Sequence, residues 1–180
     1  MSALSPDSRI SVLFDADRIS QRVIALADEI VVTMGTTPLV IPILKGSFIF
    51  AADLLRALHV VGAVPDMDFI SLSSYGKGQV SRGEVTIVRD TEVDIAGRDI
   101  LIIDDILESG RTLAFAKYLM MERGARSVKT CVLLNKPGKL AVEMEADFVG
   151  FDCPDKFVIG YGMDVAHAYR QLPFVGVVED

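Results

Sequence analysis

The sequence predicts an α/β fold with a mostly parallel central sheet flanked by helices. Two observations support this class: short apolar runs typical of buried strands alternate with helical patterns through the middle of the chain, and polar loops follow several of these runs. The length of 180 residues fits one domain with a substantial core. Beyond residue 149 the runs are too short for another strand–helix repeat. We therefore expect a single domain, with a core at about residues 15–148 and a cap formed mainly by residues 149–180 together with the N-terminal segment.

Periodicity assigns the individual elements. The first helix covers residues 15–34, because its apolar residues lie on one face, and Gly35 is a typical helix end. A second helical pattern follows residue 47, and a third runs from residue 113 to Gly124. Seven runs are predicted to be extended: 39–44, 67–73, 85–88, 100–103, 128–134, 147–151 and 157–159.

Composition and charge argue against several classes of protein. The net charge is −7, which disfavours a nucleic-acid-binding surface. No apolar run is long enough for a membrane span, and residues 1–9 are polar without the core of a signal peptide. Cys131 and Cys153 make neither a disulfide framework nor a metal site, so both are interpreted as reduced. We expect a cytoplasmic protein without nucleic-acid or membrane partners.

The stretch 100–113 concentrates the polar residues with the clearest chemistry. Four apolar residues predict a strand buried on both faces, and the adjacent carboxylates Asp104 and Asp105 are expected to mark its end, because a buried strand tolerates charge poorly. A polar loop with Glu108 follows, and the third helix begins beyond it. The sequence thus predicts a short strand-to-helix loop that begins with two acids.

This loop has the groups needed to hold a phosphate monoester. Ser109 and Thr112 supply hydroxyls, Gly110 lets the backbone come close, and a helix N-terminus supplies free N–H groups. The Gly-Lys-Ser/Thr ending of a Walker loop is missing. Asp104 and Asp105 could instead accept hydrogen bonds from a vicinal diol, which indicates a ribose 5-phosphate. The alternative is that the acids merely end a strand and Ser109 merely caps a helix.

The segment 104–113 resembles the phosphoribosyl pyrophosphate (PRPP) signature of the type I phosphoribosyltransferases. From about residue 39 to about residue 178 the chain is similar to the hypoxanthine-guanine branch of that family. Two positions depart from the family pattern. Glu108 stands where the family usually has Asp, and Asp104 stands where Glu is common. The resemblance implies the type I phosphoribosyltransferase fold, in which the cap is a hood over the carboxyl edge of the sheet.

Two further loops gain a role from the resemblance. Lys45, after the strand at 39–44, resembles part of the family's pyrophosphate loop, although from the residues alone it could equally be a helix-start lysine. The glycine-rich run 73–83 is predicted to be a lid, with a long hairpin loop as the alternative. The resemblance assigns PRPP binding to Leu44, Lys45, Gly46, Ser74, Tyr75, Asp104, Asp105, Glu108, Ser109, Gly110, Arg111, Thr112 and Arg170.

The purine and the metal are assigned to the hood side. Lys136 would donate to O6 of a 6-oxopurine, Phe157 would stack on the ring, and the Val158 backbone would contact the opposite edge. Asp164 completes the purine positions. The implied cofactor is Mg²⁺, held by Asp164, Asp104 and Asp105.

The predicted activity is purine salvage, in which PRPP and hypoxanthine or guanine give IMP or GMP and pyrophosphate, with Glu108 as the catalytic residue. Two alternatives remain open from the sequence: a xanthine-preferring phosphoribosyltransferase, and a non-catalytic PRPP-sensing regulator with the same fold. The apolar character of the N-terminal half predicts a homodimer or homotetramer.

Overall fold

The computed structural model describes residues 9–74 and 85–179. These residues form ten strands and three helices in two sheets. The elements in chain order are β1 (Arg9–Phe14), α1 (Ala16–Met34), β2 (Leu39–Leu44), α2 (Phe48–Val60), β3 (Asp66–Met67), β4 (Ile70–Ser74), β5 (Val85–Arg89), β6 (Asp99–Leu107), α3 (Arg111–Glu122), β7 (Ser127–Asn135), β8 (Phe148–Asp152), β9 (Val158–Ile159) and β10 (Val175–Glu179).

The larger sheet has the strand order β5-β4-β2-β6-β7-β8, and β3 pairs with β2 beside this path. All its pairings are parallel except the β4–β5 pair, which is antiparallel. This arrangement confirms the predicted α/β class with a mostly parallel central sheet. The carboxyl ends of parallel strands share one edge, and that edge is where ligands of such sheets bind.

The central strands are buried on both faces, which explains their continuous apolar sequences. On one face, Leu39 and Ile41 of β2 pack with α3 residues such as Met120. On the other face, Val40 packs with α1 and α2 residues such as Leu26. Each fully buried aliphatic side chain of this kind stabilises the fold by about 1.5–3 kcal/mol. The two helical layers therefore hold β2 and β6 rigidly beneath the loops that follow them.

Helix α1 is capped at both ends, and Gly35 is its end as predicted. The Asp15 side chain accepts a hydrogen bond from the Arg18 N–H at 2.9 Å, which satisfies one of the free N–H groups of the first turn. At the other end, Gly35 adopts φ 78° and its N–H bonds to the Val31 carbonyl. Arg22, on the same helix, donates to the carbonyls of Val149 and Gly150 and so ties α1 to β8.

The cap is a three-stranded antiparallel sheet with the order β1-β10-β9. Its predicted boundary at residue 149 is wrong, because β8 pairs in parallel with β7 and belongs to the main sheet. The cap therefore uses residues after Asp152, together with the N-terminal strand β1. That the whole chain is one domain stays a prediction.

Two predicted strands have different limits in the structure. The run 67–73 is broken into β3 and β4 at Asp68, whose carboxylate turns away to accept hydrogen bonds from the N–H groups of Phe69, Glu92 and Val93. The prediction that Asp104 and Asp105 end their strand is also wrong. Strand β6 continues through both acids to Leu107, because β7 keeps pairing with it there.

No helix in the described ranges 9–74 and 85–179 is long and apolar enough to cross a membrane. Cys131 and Cys153 are both buried, and both are free thiols.

Candidate functional site

The site is built on the carboxyl end of β6. Pairing with β2 ends at Pro42 opposite Ile103, whereas pairing with β7 continues to Leu107. The last residues of β6 therefore have an open side toward the end of β2. Asp104 and Asp105 lie at this opening, and Asp104 is only 9% exposed.

Burial and mutual proximity set the charge state of the two acids. Burial, followed by the repulsion of the neighbouring Asp105 carboxylate, raises the pKa of Asp104 well above its usual value. Burial also raises the pKa of Asp105, although hydrogen bonds and the Arg170 guanidinium act in the opposite direction. The pair is therefore short of compensating positive charge, and a cation or hydrogen-bond donors from a ligand would stabilise it.

The loop between β2 and α2 lies against Asp105. A Cβ atom added to Gly46 would be 1.7 Å from Oδ2 of Asp105, so any larger residue here would displace the loop or the Asp105 side chain. The neighbouring Ser47 is fully buried and donates its hydroxyl to the Ile43 carbonyl at 2.6 Å. Lys45 is exposed, and the Leu44–Lys45 peptide is cis. The loop is thus fixed from beneath while its outer edge faces the cleft.

The loop between β6 and α3 leads into the N-terminus of α3. Gly110 precedes the helix at φ 76°, and the Ser109 hydroxyl accepts a hydrogen bond from the Arg111 N–H at 3.4 Å. The N–H groups of Thr112 and Leu113, which have no side-chain partner among the described residues, can bind an anion. The Ser109 carbonyl accepts a hydrogen bond from the Ala141 N–H at 2.9 Å, which supports the loop from behind. Thr112 lies one residue beyond the start of the helix, at the same anion-binding end.

These two loops enclose a cavity of about 280 Å³ with mainly polar walls. It is lined by Ile43, Leu44, Lys45, Gly46, Leu72, Asp104, Asp105, Ile106, Leu107, Glu108, Ser109, Gly110, Thr112 and Leu113. One wall carries the carboxylate pair, and another carries the helix N-terminus with its hydroxyls. A phosphorylated sugar matches this distribution of donors and acceptors.

A second cavity of about 280 Å³ adjoins the first. The two share four lining residues, which are Gly46, Asp105, Ile106 and Glu108. The remaining walls of the second cavity are Lys136, Phe157, Val158, Met163, Asp164 and Arg170. A bound molecule that filled both cavities would therefore pass directly over Asp105 and Glu108.

Lys136 and Glu108 form the polar contact between the two cavities. Lys136 is 6% exposed, and its Nζ donates to Oε1 of Glu108 at 3.2 Å. Lys139 lies 3.6 Å from the same carboxylate oxygen and 2.5 Å from Asp155. A buried ammonium needs such a partner, because an unpaired buried charge is strongly destabilising. Lys136 thus offers a charged donor to anything that enters the second cavity.

Asp164 and Arg170 lie on one turn that closes this cavity. The Arg170 guanidinium contacts Oδ1 of Asp164 at 2.6 Å and donates to the Gly162 carbonyl at 2.5 Å. The other oxygen of Asp164 accepts a hydrogen bond from the His167 N–H at 2.7 Å. Both residues are therefore held in place before any ligand binds.

The donor set is compatible with a magnesium ion that shares its ligands with a substrate. Within residues 9–74 and 85–179, no three His, Cys, Asp or Glu side chains are grouped to hold a metal ion by themselves. Mg²⁺ is commonly bound through one or two carboxylates, with waters and substrate phosphates completing its shell. The raised pKa of Asp104 marks a carboxylate pair that a divalent cation would stabilise.

The structure brings most of the predicted site residues into the two cavities. Among the predicted site residues whose side chains the structure describes, Arg111 is the exception, because it is exposed and lines neither cavity. Of the predicted lid, Ser73 and Ser74 belong to β4, which ends at Ser74. The rest of the predicted lid, from Tyr75 to residue 83, lies outside the described residues. Sequence reasoning missed most of the apolar lining residues, which are Ile43, Leu72, Ile106, Leu107, Leu113 and Met163. Apolar residues near a strand end have no signal that separates a ligand contact from core.

Comparison with known proteins agrees with this geometry. The family model described as "Phosphoribosyl transferase domain" matches residues 10–166. The hypoxanthine-guanine phosphoribosyltransferase of Bacillus subtilis is 44% identical over 169 residues, covering 93% of this chain and 92% of that protein. The "Bifunctional protein TilS/HprT" of Listeria monocytogenes is also 44% identical, but this chain spans only 26% of its length.

A solved structure shows the same relationship. The hypoxanthine-guanine phosphoribosyltransferase of Bacillus anthracis, determined with a HEPES molecule in its active site, matches with a TM-score of 0.88 at 39% identity. The match covers 95% of this chain and 100% of that one. The family model, these relatives and the two cavities at the β6 edge lead to one conclusion: this chain belongs to the phosphoribosyltransferase family, in its hypoxanthine-guanine branch.

Proposed function

We propose that this chain is a magnesium-dependent 6-oxopurine phosphoribosyltransferase, which converts PRPP and hypoxanthine or guanine to IMP or GMP and pyrophosphate. The observation that carries the proposal is the pair of adjoining cavities, one with a carboxylate pair beside a helix N-terminus and the other with a buried lysine. The names of the Bacillus relatives support the same substrates. The physiological role would be purine salvage.

In this proposal the first cavity binds the phosphoribosyl group. The 5-phosphate accepts hydrogen bonds from the first-turn N–H groups of α3 and from the hydroxyls of Ser109 and Thr112. Asp104 and Asp105 accept hydrogen bonds from the ribose 2- and 3-hydroxyls. Diol donors would stabilise two carboxylates that burial and mutual repulsion disfavour.

The pyrophosphate group binds between the β2–α2 loop and the turn that bears Arg170. Lys45 and the Gly46 backbone face it from one side, and the Arg170 guanidinium faces it from the other. Asp104, Asp105 and Asp164 are the candidate ligands for Mg²⁺, which would bind through one or two of these carboxylates together with waters and substrate oxygens. The ion would neutralise the charge that develops on the leaving group. Ser74 and Tyr75 are assigned to closure of this site by family resemblance alone.

The second cavity binds the base. Lys136 would exchange its contact with Glu108 for one with O6 of the purine, while Phe157 stacks on the ring and the Val158 backbone meets the opposite edge. Adenine presents an amino group where O6 would be. Lys136 would then face a donor, and a buried unmatched donor costs about 1–3 kcal/mol, which is enough for strong rejection.

The same exchange frees Glu108 for chemistry. The C1–O bond to pyrophosphate breaks as N9 of the purine bonds to C1, through a transition state with oxocarbenium character. The purine must lose one proton, which Glu108 would accept from N7 as general base. Pyrophosphate leaves with the electron pair of the broken bond. The closed site excludes water, which would otherwise attack C1.

One set of assays tests this proposal. The protein is incubated with PRPP and Mg²⁺ and, in turn, with hypoxanthine, guanine, xanthine, adenine and uracil. We expect nucleoside monophosphate with hypoxanthine or guanine and almost none with adenine or uracil. Xanthine as the best substrate would indicate the xanthine-preferring alternative, and PRPP binding without turnover of any base would indicate the regulator.

Substitution of Lys136 tests the contact with O6. Lys136→Gln keeps a donor but removes the charge, and Lys136→Met removes both, so activity with hypoxanthine should fall in the order Lys, Gln, Met. The loss should be about tenfold or more for Met, in line with removal of a charged hydrogen bond. A Met variant as active as the native protein would show that the assignment is wrong.

We also infer a homodimer or homotetramer in the cytoplasm. Several large apolar side chains on one half of the chain are exposed, including Val12, Ile24, Val32 and Val60. Contact with a second copy would cover such residues. Light scattering of the purified protein would give the number of copies.

A further inference from the structure

Tyr161 is a non-glycine residue in the left-handed region of backbone space, with φ 47°. It lies between Gly160 and Gly162, which also have positive φ. This conformation disfavours a side chain, so a tyrosine there must be held by the contacts that it makes. Its ring is buried, with 6% exposure. The position is three residues beyond Val158 and three before Asp164, between the base-binding and pyrophosphate-binding parts of the proposed site.

The Tyr161 phenol has one defined partner. Its hydroxyl donates to Oδ2 of Asp53 at 2.7 Å, and the two residues are 108 positions apart in the chain. Burial, and after it the Asp53 carboxylate, raises the pKa of Tyr161, so the phenol stays protonated and donates at neutral pH. The other oxygen of Asp53 contacts the exposed Arg56 at 2.5 Å.

A second contact joins the same two segments. Asp53 lies on α2, the helix that directly follows the Gly46 loop. Gly162, next to Tyr161, packs so closely on this loop that a Cβ added to it would be 2.1 Å from the Gly46 carbonyl oxygen. Two separate contacts between two segments fix their orientation as well as their distance. The phenol hydrogen bond and the Gly162–Gly46 contact thus hold the α2 unit and the 160–170 turn in one arrangement.

Hydrogen bonds extend this arrangement to Arg170. The Tyr161 N–H donates to the Leu172 carbonyl at 2.9 Å, and the Gly162 N–H donates to the Arg170 carbonyl at 3.0 Å. The Arg170 guanidinium donates back to the Gly162 carbonyl at 2.5 Å. A change at Tyr161 would therefore move Arg170 and the Gly46 loop relative to each other, and these are the two sides proposed to hold pyrophosphate.

From these contacts we propose that Tyr161 and Asp53 are positioning residues, whose hydrogen bond sets the width of the pyrophosphate subsite between the Gly46 loop and Arg170. Neither residue touches the substrate. The expected kinetic effect rests on the proposed function. The fixed distance between the Gly46 loop and the 160–170 turn does not depend on catalysis.

The kinetic test uses Tyr161→Phe, which keeps the buried ring and removes only the hydroxyl. We expect the KM for PRPP to rise about three- to tenfold, as for the loss of one hydrogen bond, with a change of less than about twofold in the KM for hypoxanthine. Asp53→Ala should have the same effect, and the double variant should be no worse than either single one, because both remove the same contact. Asp53→Asn keeps an acceptor oxygen and should restore most of the PRPP response.

Arg56→Ala is the matched control. It removes the exposed ion pair with Asp53 but leaves the phenol hydrogen bond, so its kinetics should equal those of the native protein. A merely structural role for Tyr161 would lower the melting temperature without separating the two KM values. Either that result, or additive effects of Tyr161→Phe and Asp53→Ala, would overturn the proposal.

Hydrogen exchange, measured without substrate, tests whether the Tyr161–Asp53 hydrogen bond holds the Gly46 loop and the 160–170 turn in one arrangement. In Tyr161→Phe, peptides covering residues 44–50 and 162–170 should exchange faster than in the native protein, while peptides from α3 should not change. Unchanged exchange in both segments would overturn the positioning role, even if the native protein proved to have no transferase activity. Absence of transferase activity in the native protein would overturn the proposed function alone.

Discussion

The molecule contains two strand–loop–helix units side by side, and they differ in how their loops use polar groups. In the first unit, which joins β2 to α2, the buried Ser47 donates its hydroxyl to the Ile43 carbonyl. In the second unit, which joins β6 to α3, the Ser109 hydroxyl accepts a hydrogen bond from the Arg111 N–H at 3.4 Å, and Ser109 is only partly buried. The Ser47 hydroxyl is therefore shut off from solvent, whereas Ser109 lines the first cavity, where a ligand can reach it.

Sheet pairing places the two loops beside each other. β2 pairs with β6 only as far as Pro42, whereas its last residues, Ile43 and Leu44, pair with β4 alone. β6 extends beyond Ile103 and is paired there by β7, so the ends of β2 and β6 are unpaired on the sides that face each other. Asp104 and Asp105 lie at this opening, and Gly46 of the first loop lies against Asp105. We therefore expect the first loop to support the acids and the second loop to bind the ligand.

The largest expected effect comes from placing a side chain in the first loop. Gly46→Ala would bring a Cβ to 1.7 Å from the Asp105 carboxylate, so the loop or the acid must move. We expect kcat/KM to fall at least about hundredfold, since displacement of about 1 Å in a site can have this effect. Steady-state kinetics with PRPP and hypoxanthine would measure it.

Gly97→Ala is the control for this change. Gly97 has φ 70° with open space around it and lies before β6, away from the cavities, so only stability should fall, by about 1 kcal/mol. If Gly46→Ala were as active as Gly97→Ala, the loop between β2 and α2 would not be a rigid support for the Asp105 carboxylate.

The next effect concerns Glu108, in the second loop. Glu108→Ala should lower kcat at least about tenfold and largely spare PRPP binding, because it removes the proposed general base. It should also lower the melting temperature, since it leaves the buried Lys136 ammonium without its carboxylate partner. Glu108→Asp should keep substantial activity. Weaker PRPP binding with an unchanged kcat would assign Glu108 to phosphate binding instead.

A smaller effect is expected from Thr112, where the second loop offers its hydroxyl. Thr112→Val keeps the shape and removes the donor, so the KM for PRPP should rise about three- to tenfold with little change in the KM for the base. Thr33→Val is the matched control, because Thr33 bonds only to its own helix at the Glu29 carbonyl, away from the site. An equal PRPP response in both variants would remove Thr112 from phosphate binding.

The smallest effect is a change in stability at the acid pair. In metal-free buffer at alkaline pH, Asp104→Asn should raise the melting temperature, because it removes a carboxylate whose charged form is disfavoured by burial and, after it, by the neighbouring Asp105. Each kcal/mol of relieved repulsion corresponds to about 2–4 °C in a protein of this size. The variant should also lose PRPP binding, as stabilising changes at binding sites often do.

The pH dependence follows from the raised pKa of Asp104. The folded protein takes up a proton at this acid before the unfolded chain does, so the native protein gains stability from this group as pH falls. The advantage of Asp104→Asn should therefore shrink as pH falls through the raised pKa of Asp104. An advantage that grew as pH fell would contradict the raised pKa. Thermal melts of both proteins over a series of pH values would measure this difference.

The sequence by itself determined the class of the fold and the location of the proposed phosphate-binding loop. Alternating apolar runs and helical patterns require a sheet buried on both faces, and this local information was enough to place β2 at 39–44 and α1 after Asp15. The order of acids, hydroxyls and glycine in 104–112 likewise indicated a sugar phosphate. Such features depend on neighbouring residues, which the sequence displays directly.

Only the tertiary structure decided which groups meet across the chain. The continuation of β6 through Asp104 depends on pairing with β7, and the place of β8 in the main sheet depends on the same strand. The contact between Lys136 and Glu108 joins positions 28 apart, and that between Tyr161 and Asp53 joins positions 108 apart. Periodicity reports burial along one element, but it carries no information on which distant element supplies the partner, because that choice is made by packing.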